Sequence, residues 1–286
     1  MDASSKAVSN TRYSPGSSPC RVALLYPGDR EARQKSAPEE GRFLPVFQAL
    51  ASLGVQTEPA VYHDDFCEDV RRQLAAVDGV LVWMNPIQDG RDRSMLDAML
   101  REVAARGVFV SAHPDIILKL GTKEVLYRTR EIGWGSDTHL YATSEELRRE
   151  LPARLAGGAR VLKQCRGHSG MGVWKVALAA PHSAPAGTSS SEIPLQVRHA
   201  QRGSVEEGIS LGEFLGRCEV YFAGGGRMID QAYQARLPEG MVRCYLVHDC
   251  VEGFGLQGIN ALYPAPPGAP ADASPQPGPR LYHPPT

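Results

Sequence analysis

The chain has 286 residues, 42% of them hydrophobic and 22% charged, a composition typical of water-soluble proteins and long enough for two modest domains or one large one. With 31 basic and 32 acidic residues the formal net charge is -1, which supplies no footprint for nucleic acid or an anionic membrane and favours a small ligand. The six cysteines (Cys20, Cys67, Cys165, Cys218, Cys244 and Cys250) form no Cys-x-x-Cys pair and read as reduced thiols, and no run approaches the roughly 18 apolar residues of a membrane span. The N-terminus also lacks the apolar core of a signal peptide, so a cytoplasmic location is expected.

Residues 1–19 are rich in Ser, Pro and Gly and are expected to form a disordered lead-in. The first domain is assigned to residues 20–115. Arg21-Val-Ala-Leu-Leu-Tyr26, ended by Pro27-Gly28, has the continuous apolar character of a buried parallel strand feeding a loop. Phe43, Val46, Phe47, Leu50 and Leu53 recur at helical spacing until Gly54. Val55–Tyr62 then reads as strand, Asp65–Ala76 as helix, Gly79–Met84 as a buried strand, Ser94–Arg106 as helix and Val108–Val110 as strand. This alternation implies a parallel sheet with right-handed crossovers. Asn85-Pro86 follows a strand's carboxyl end, where such sheets bind ligands, but serves equally as a loop initiator.

Residues 116–263 change character. Thr122–Glu131 is expected to be helical, Asp137–Tyr141 extended, and Ser144 to cap a helix running through Leu151. Within 159–178 two strand-like runs flank a glycine-rich loop, the first containing Val161-Leu-Lys163 and the second Val173–Leu178, then come a Pro/Ser/Thr-rich insertion at 181–192 and a strand over Leu195–His199. Ser210 is positioned to cap a helix over Leu211–Cys218, and Met228–Tyr233, Val242–Val247 and Val251–Phe254 read as strands. This half is expected to be α+β with antiparallel hairpins. From 264 to 286 Pro, Gly and Ala dominate, the composition of an extended tail, and no solenoid-length repeat is visible.

The most informative segment is the loop between the two runs, Cys165-Arg-Gly-His-Ser-Gly-Met-Gly172. Gly167, Gly170 and Gly172 free the backbone to turn N–H groups toward an anion, and Lys163 in the preceding strand places a positive charge beside it. A lysine inside an apolar strand, without an evident partner, is an awkward place for a charge unless a ligand supplies one. Lys123 opens a helix, where the macrodipole disfavours a cation and an anionic ligand offsets that penalty. The P-loop and the dinucleotide fingerprint fit worse, because the chain after Gly172 is a strand and no Gly-x-Gly-x-x-Gly follows Tyr26. An ordinary flexible hairpin is the plainer alternative for the loop. Arg243 suits a phosphate contact or a cross-strand salt bridge, His168 reads as solvated, and Trp83, Trp134, Trp174 and Tyr233 read as packing residues, with Tyr233 also able to flank a base. No His/Cys cluster has zinc spacing.

The order of these features resembles the ATP-grasp superfamily over about residues 20–263. Thr122-Lys123-Glu124 is similar to the segment before the central domain, Val161-Leu-Lys163 and Arg166–Val173 to the phosphate-binding lysine and lid, and Asp230-Gln231-Ala-Tyr233 to the adenine hinge. Val242–Val251, with Arg243, looks like the arginine-bearing strand pair after it. The resemblance implies an α/β chain, with a Rossmann-like parallel-sheet domain followed by an α+β ATP-grasp-like domain. It also implies ATP and Mg²⁺ as cofactors and a small-molecule carboxylate and nucleophile as substrates of a ligase working through an acyl-phosphate. Carried over by position, the nucleotide residues are Lys123, Lys163, Gly167, Ser169, Gly170, Gly172, Asp230, Gln231, Tyr233 and Glu239, with Arg243 as the catalytic arginine. Glu239 stands as the nearest ribose-binding acid, and Asp230 and Gln231 replace the glutamate of many relatives. The family's acidic metal strand finds no counterpart before the Pro-rich tail, so Mg²⁺ ligands are expected outside this chain. Either the chain is a piece of a longer protein or it is a non-catalytic nucleotide-binding relative. A dinucleotide oxidoreductase is the weaker third reading.

Overall fold

The computed structural model describes residues 19–38, 41–88, 91–133, 135–180, 190–201, 204–247, 249–258 and 281–284. Trp134, the lead-in over 1–18, the insertion over 181–189 and most of the Pro-rich tail lie outside the described residues. The chain is mixed α/β and divides into two compact units, one from Met1–Met84 and Gln88–Pro114, the other from Asn85–Ile87 and Asp115–Thr286.

The first unit is built on a four-stranded parallel sheet in the order Gln56–Tyr62, Arg21–Pro27, Gly79–Val82, Phe109–Ser111. Its elements in sequence are β1 (Arg21–Pro27), α1 (Arg30–Lys35), α2 (Leu44–Ser52), β2 (Gln56–Tyr62), α3 (Cys67–Leu74), β3 (Gly79–Val82), the short strands β4 (Ile87–Gln88) and β5 (Arg91–Asp92), α4 (Ser94–Ala105) and β6 (Phe109–Ser111). The central strand reads as continuous apolar sequence because both of its faces are covered. Ala23 and Leu25 pack with Val70 and Leu74 of α3 and Leu96, Leu100 and Val103 of α4, whereas Leu24 packs with Phe47 of α2 and with Phe43 just before that helix on the other side. The α1 helix buries none of its residues, so it left no apolar stripe to read, and it is started by Asp29, whose carboxylate accepts from the Ala32 amide at 2.7 Å. The helix expected over Asp65–Ala76 begins as a 3₁₀ turn, Asp64–Phe66, before α3.

The second unit opens with α5 (Pro114–Leu120) and α6 (Glu124–Arg128), so the single helix expected over Thr122–Glu131 is shorter, with a 3₁₀ turn at Arg130–Ile132 behind it. Next come β7 (Thr138–Tyr141), α7 (Ser144–Ala156), β8 (Arg160–Gln164), β9 (Val173–Leu178), β10 (Pro194–His199), β11 (Glu206–Ser210), α8 (Leu211–Cys218) and β12 (Met228–Ala232). The cap of α7 is Thr143 rather than Ser144, its hydroxyl accepting from the Glu146 amide. That helix also runs past Leu151 and through Pro152, because Leu147, Leu151 and Leu155 bury one continuous face. Ser210 caps α8 as expected.

Six strands form an antiparallel sheet of order β11-β10-β9-β8-β12-β7. One face is sealed by α7 and α8, with Tyr141, Leu162, Val176, Leu195, Val197 and Met228 packed against Leu151, Leu155, Phe214 and Leu215. By the two-residue alternation of strands, the other face carries Val161, Lys163, Val173, Lys175, Arg198, Ile229 and Gln231. The edge strand β11 is Glu-Glu-Gly-Ile-Ser, too polar to show a strand pattern, and its charges suit an unpaired edge. A separate antiparallel sheet is made by β13 (Met241–Val247), β14 (Cys250–Gln257) and β15 (Leu281–His283).

Candidate functional site

The loop joining β8 to β9 has a fixed root and an open tip. At the root, the Gln164 amide donates to Gly172 O at 2.8 Å, the Gln164 side chain donates to Met171 O at 2.9 Å, and the Gly172 amide donates to His199 Nε2 at 3.1 Å. Gly170 has φ 79°, and a Cβ there would stand 2.7 Å from the backbone oxygen of Ala200. Gly172 has φ 61°, and a Cβ would meet Gln164 at 2.5 Å, so no side chain fits either position without displacing its neighbour. Ser169 joins them in the left-handed region with φ 52°. At the tip, none of the hydrogen bonds among the described residues is donated by the backbone N–H of His168, Ser169 or Gly170. Successive free N–H groups on a bent backbone make an anion-binding concavity.

Two lysines flank this loop. Lys163 Nζ donates to Gln231 Oε1 at 2.6 Å, and Lys123 Nζ, from the start of α6, donates to Gly167 O at 3.2 Å. Both partners are neutral oxygens, and neither lysine pairs with a carboxylate among the described residues. Burial, reinforced by the Lys123 charge, pulls the Lys163 ammonium down to about 8, and burial also lowers Lys123. Two half-buried, mutually repelling cations beside unused amides form an environment that a multiply charged anion would stabilise.

Next to the lysines the open face is apolar. Val161 and Ala200 form a buried pair, with Val173 and Tyr233 packed against it. Farther along the face, Lys175 Nζ lies 4.8 Å from the centre of the Tyr233 ring and 3.9 Å from Glu206. Arg198, opposite Lys175 in the ladder, has a buried Nε with no hydrogen-bond partner, and burial lowers its affinity for the proton. An apolar floor beside a pair of lysines suits a ligand with a ring at one end and phosphates at the other.

Of the residues expected from sequence, the fold brings Lys123, Lys163, Gln231, Gly167, Ser169, Gly170 and Gly172 together, with Tyr233 on the floor. Asp230 requires a correction. Its carboxylate points to the helix-covered face, accepting from Tyr141 Oη at 2.8 Å, Arg154 Nε at 2.8 Å and Arg160 Nε at 2.6 Å, and it is 0% exposed. Asp230 therefore acts as the buried hub of an ion network, because alternation sends neighbouring side chains to opposite faces and Gln231 takes the open one. Glu239 pairs with Arg236 at 2.6 Å in an exposed turn, and Arg243 lies exposed on β13 in the other sheet, so neither is joined to the lysine cluster. Arg198 and Ala200 were not anticipated. The alternation in Leu195–His199 separates Arg198 from the core side, but only the strand order β10-β9-β8 reveals that it shares a face with Lys163.

No group of three or more His, Cys, Asp and Glu side chains among the described residues is arranged to hold a metal. No helix among those residues is long and apolar enough to cross a membrane. The first unit carries a cavity of about 290 Å³ beyond the carboxyl ends of β1, β2 and β3, lined by Gly28, Asp29, His63, Asp64, Arg91 and Arg93 among others. That is where open parallel sheets bind small molecules.

No protein-family model and no curated protein sequence matches the chain. Among solved structures it is similar to D-cycloserine synthetase DcsG, at 13% identity and TM-score 0.56, over 84% of this chain and 68% of that one. It is also similar to a RimK domain ATP-grasp protein from Sphaerobacter thermophilus DSM 20745, at 16% identity and TM-score 0.46, over 83% of this chain and 72% of that one. D-alanine–D-alanine ligase from Bacillus anthracis complexed with ATP aligns at 12% identity and TM-score 0.46, over 83% of this chain and 66% of that one. A parallel α/β unit followed by an antiparallel sheet with a lysine-flanked glycine hairpin is, in this chain, an ATP-grasp-like fold.

Proposed function

We propose that the open face of the six-stranded sheet binds ATP and that the protein is an ATP-dependent ligase joining a small-molecule carboxylate to an amine or thiol through an acyl-phosphate. The observation that carries this reading is the pair Lys163 and Lys123, half-buried without a carboxylate beside the unused amides of the glycine loop. In this reading the adenine lies on Val161, Ala200 and Tyr233, with Lys163 and Lys123 neutralising phosphate charge as the terminal phosphoryl group is transferred. The loop closes over the phosphates and excludes water, which would otherwise hydrolyse an acyl-phosphate before the nucleophile attacks. Among the described residues the lysines and loop amides are the groups that would meet the phosphate charge, with magnesium expected to accompany ATP.

Nucleotide binding near pH 8.5 is expected to take up protons. Lys163 is partly neutral there, and a phosphate beside it favours the charged form. Affinity should accordingly fall as pH rises through about 8. Calorimetry of ADP binding in buffers of different ionisation enthalpy measures the uptake, and a proton count of zero would place the phosphates away from Lys163.

Hydrogen exchange offers a second check. Residues 167–170 should exchange rapidly in the free protein and become protected on adding ATP, because the tip amides gain acceptors only from the ligand. Unchanged exchange at saturating ATP would contradict closure of this loop.

A further inference from the structure

One of the three contacts at the root of the glycine loop is to an imidazole. His199 ends β10 opposite Trp174 of β9, with the two ring centres 4.5 Å apart. Its Nε2 receives the Gly172 amide at 3.1 Å. An amide can only donate, so this contact requires a neutral ring whose proton sits on Nδ1. We propose that His199 is a positioning residue for the glycine loop, its unprotonated Nε2 holding the Gly172 amide so that the tip is presented to phosphate, and that protonation of the ring releases the loop. The consequence for ligand binding rests on the nucleotide reading of that loop; the anchoring itself does not.

The surroundings favour the neutral ring. Burial lowers its proton affinity and outweighs the Gln201 hydrogen bond, which pulls the other way. From β9 the facing group is the uncharged Trp174, whose indole N–H donates to Tyr221 Oη at 3.1 Å. From α8 the charge nearest this stack is Arg217, 6.0 Å from the Trp174 ring and itself bound by Glu207 and Glu213. Along the ladder, Arg198 and Lys175 occupy the opposite face, with Glu206. Above, the loop contributes His168, whose Nδ1 lies 3.0 Å from Ser169 Oγ and whose Nε2 lies 3.0 Å from Ile87 O. The two other root contacts, the Gln164 amide to Gly172 O and the Gln164 side chain to Met171 O, carry no titratable group, so loss of the His199 contact loosens the loop without detaching it.

The test compares the wild-type chain with His199→Gln, which keeps an uncharged acceptor, and His199→Phe, which keeps only the aromatic stack. Exchange of residues 167–173 and ADP affinity are measured at about pH 7 and about pH 4.5, both at least a unit below the value near which Lys163 loses its proton, and on either side of the imidazole range. At the higher pH, His199→Phe is expected to exchange the loop about fivefold faster than wild type and to bind ADP correspondingly more weakly, with His199→Gln restoring most of the loss. At the lower pH, wild type should fall to the level of His199→Phe while His199→Gln does not. Taking ratios at each pH removes the ionisation of ADP and any contribution of His168, which all three proteins share. Equal loop exchange in the three proteins at both pH values would overturn the proposal. If His199→Phe fails to fold, the wild-type to His199→Gln ratio still decides: a rise at low pH supports it and a constant ratio overturns it. If no protein binds ADP, the exchange ratios still decide the anchoring, and the failure falls on the nucleotide reading alone.

Discussion

Replacing Lys163 with Met is expected to weaken ADP binding by about 10- to 100-fold, the range for loss of a charge-assisted phosphate contact, while making the ligand-free protein more stable. The second effect distinguishes a binding residue from a structural one. Lys163 sits half-buried with only the Gln231 carbonyl as partner, so its charge opposes folding, and Met keeps the apolar stem. The wild-type protein should also gain stability as pH rises from about 8 toward 10.5, because the unfolded chain still holds the Lys163 proton that the folded chain has lost. Lys163→Met should lack that rise. Lys175→Ala should have a smaller effect on ADP, since Lys175 is already engaged by Glu206 and the Tyr233 ring. Calorimetry and thermal melts across that pH range measure both effects. Equal losses of affinity in the two variants would remove Lys163 from its assigned role.

The largest loss of stability is expected from Asp230→Ala. Asp230 is fully buried and binds Arg154, Arg160 and Tyr141, and both arginines also reach Asp137, which is 60% exposed. Removing the hub leaves the buried Arg160 guanidinium without its inner partner, a change that costs about 3–5 kcal/mol and lowers the melting temperature by on the order of 10 °C. Asp137→Ala should cost about 1 kcal/mol, because solvent screens that carboxylate. Urea unfolding of the two variants gives the comparison. A loss at Asp230 no larger than at Asp137 would show that the network does not hold β7, α7, β8 and β12 together.

Where burial leaves an apolar signature, the sequence announced the structure. The apolar run of β1, the alternation of β10, and Ser210 before Leu211 each correspond to an element whose local preference and tertiary packing agree. Elements without an apolar signature escaped notice, as α1 and β11 did, because a cap or a ladder position holds them rather than a core face. The extension of α7 across Pro152 went unread for the reverse reason, since packing of Leu155 overrides the local penalty of proline. For the site, the glycine loop and its lysine stood out because both are poor choices for an ordinary strand pair. The sides taken by Asp230 and Gln231 were not legible, since adjacent polar residues look alike until the register fixes which one faces the helices. Arg198 depends on a strand order that no local pattern encodes.

The most direct test of the central claim is calorimetric titration of the wild-type chain with ADP and with ATP, with and without magnesium, at about pH 7, where Lys163 is charged. A nucleotide site on the open sheet face predicts saturable binding of one nucleotide per chain that is weakened by Lys163→Met. Absence of binding at millimolar nucleotide under every condition, or binding indifferent to Lys163, would contradict it.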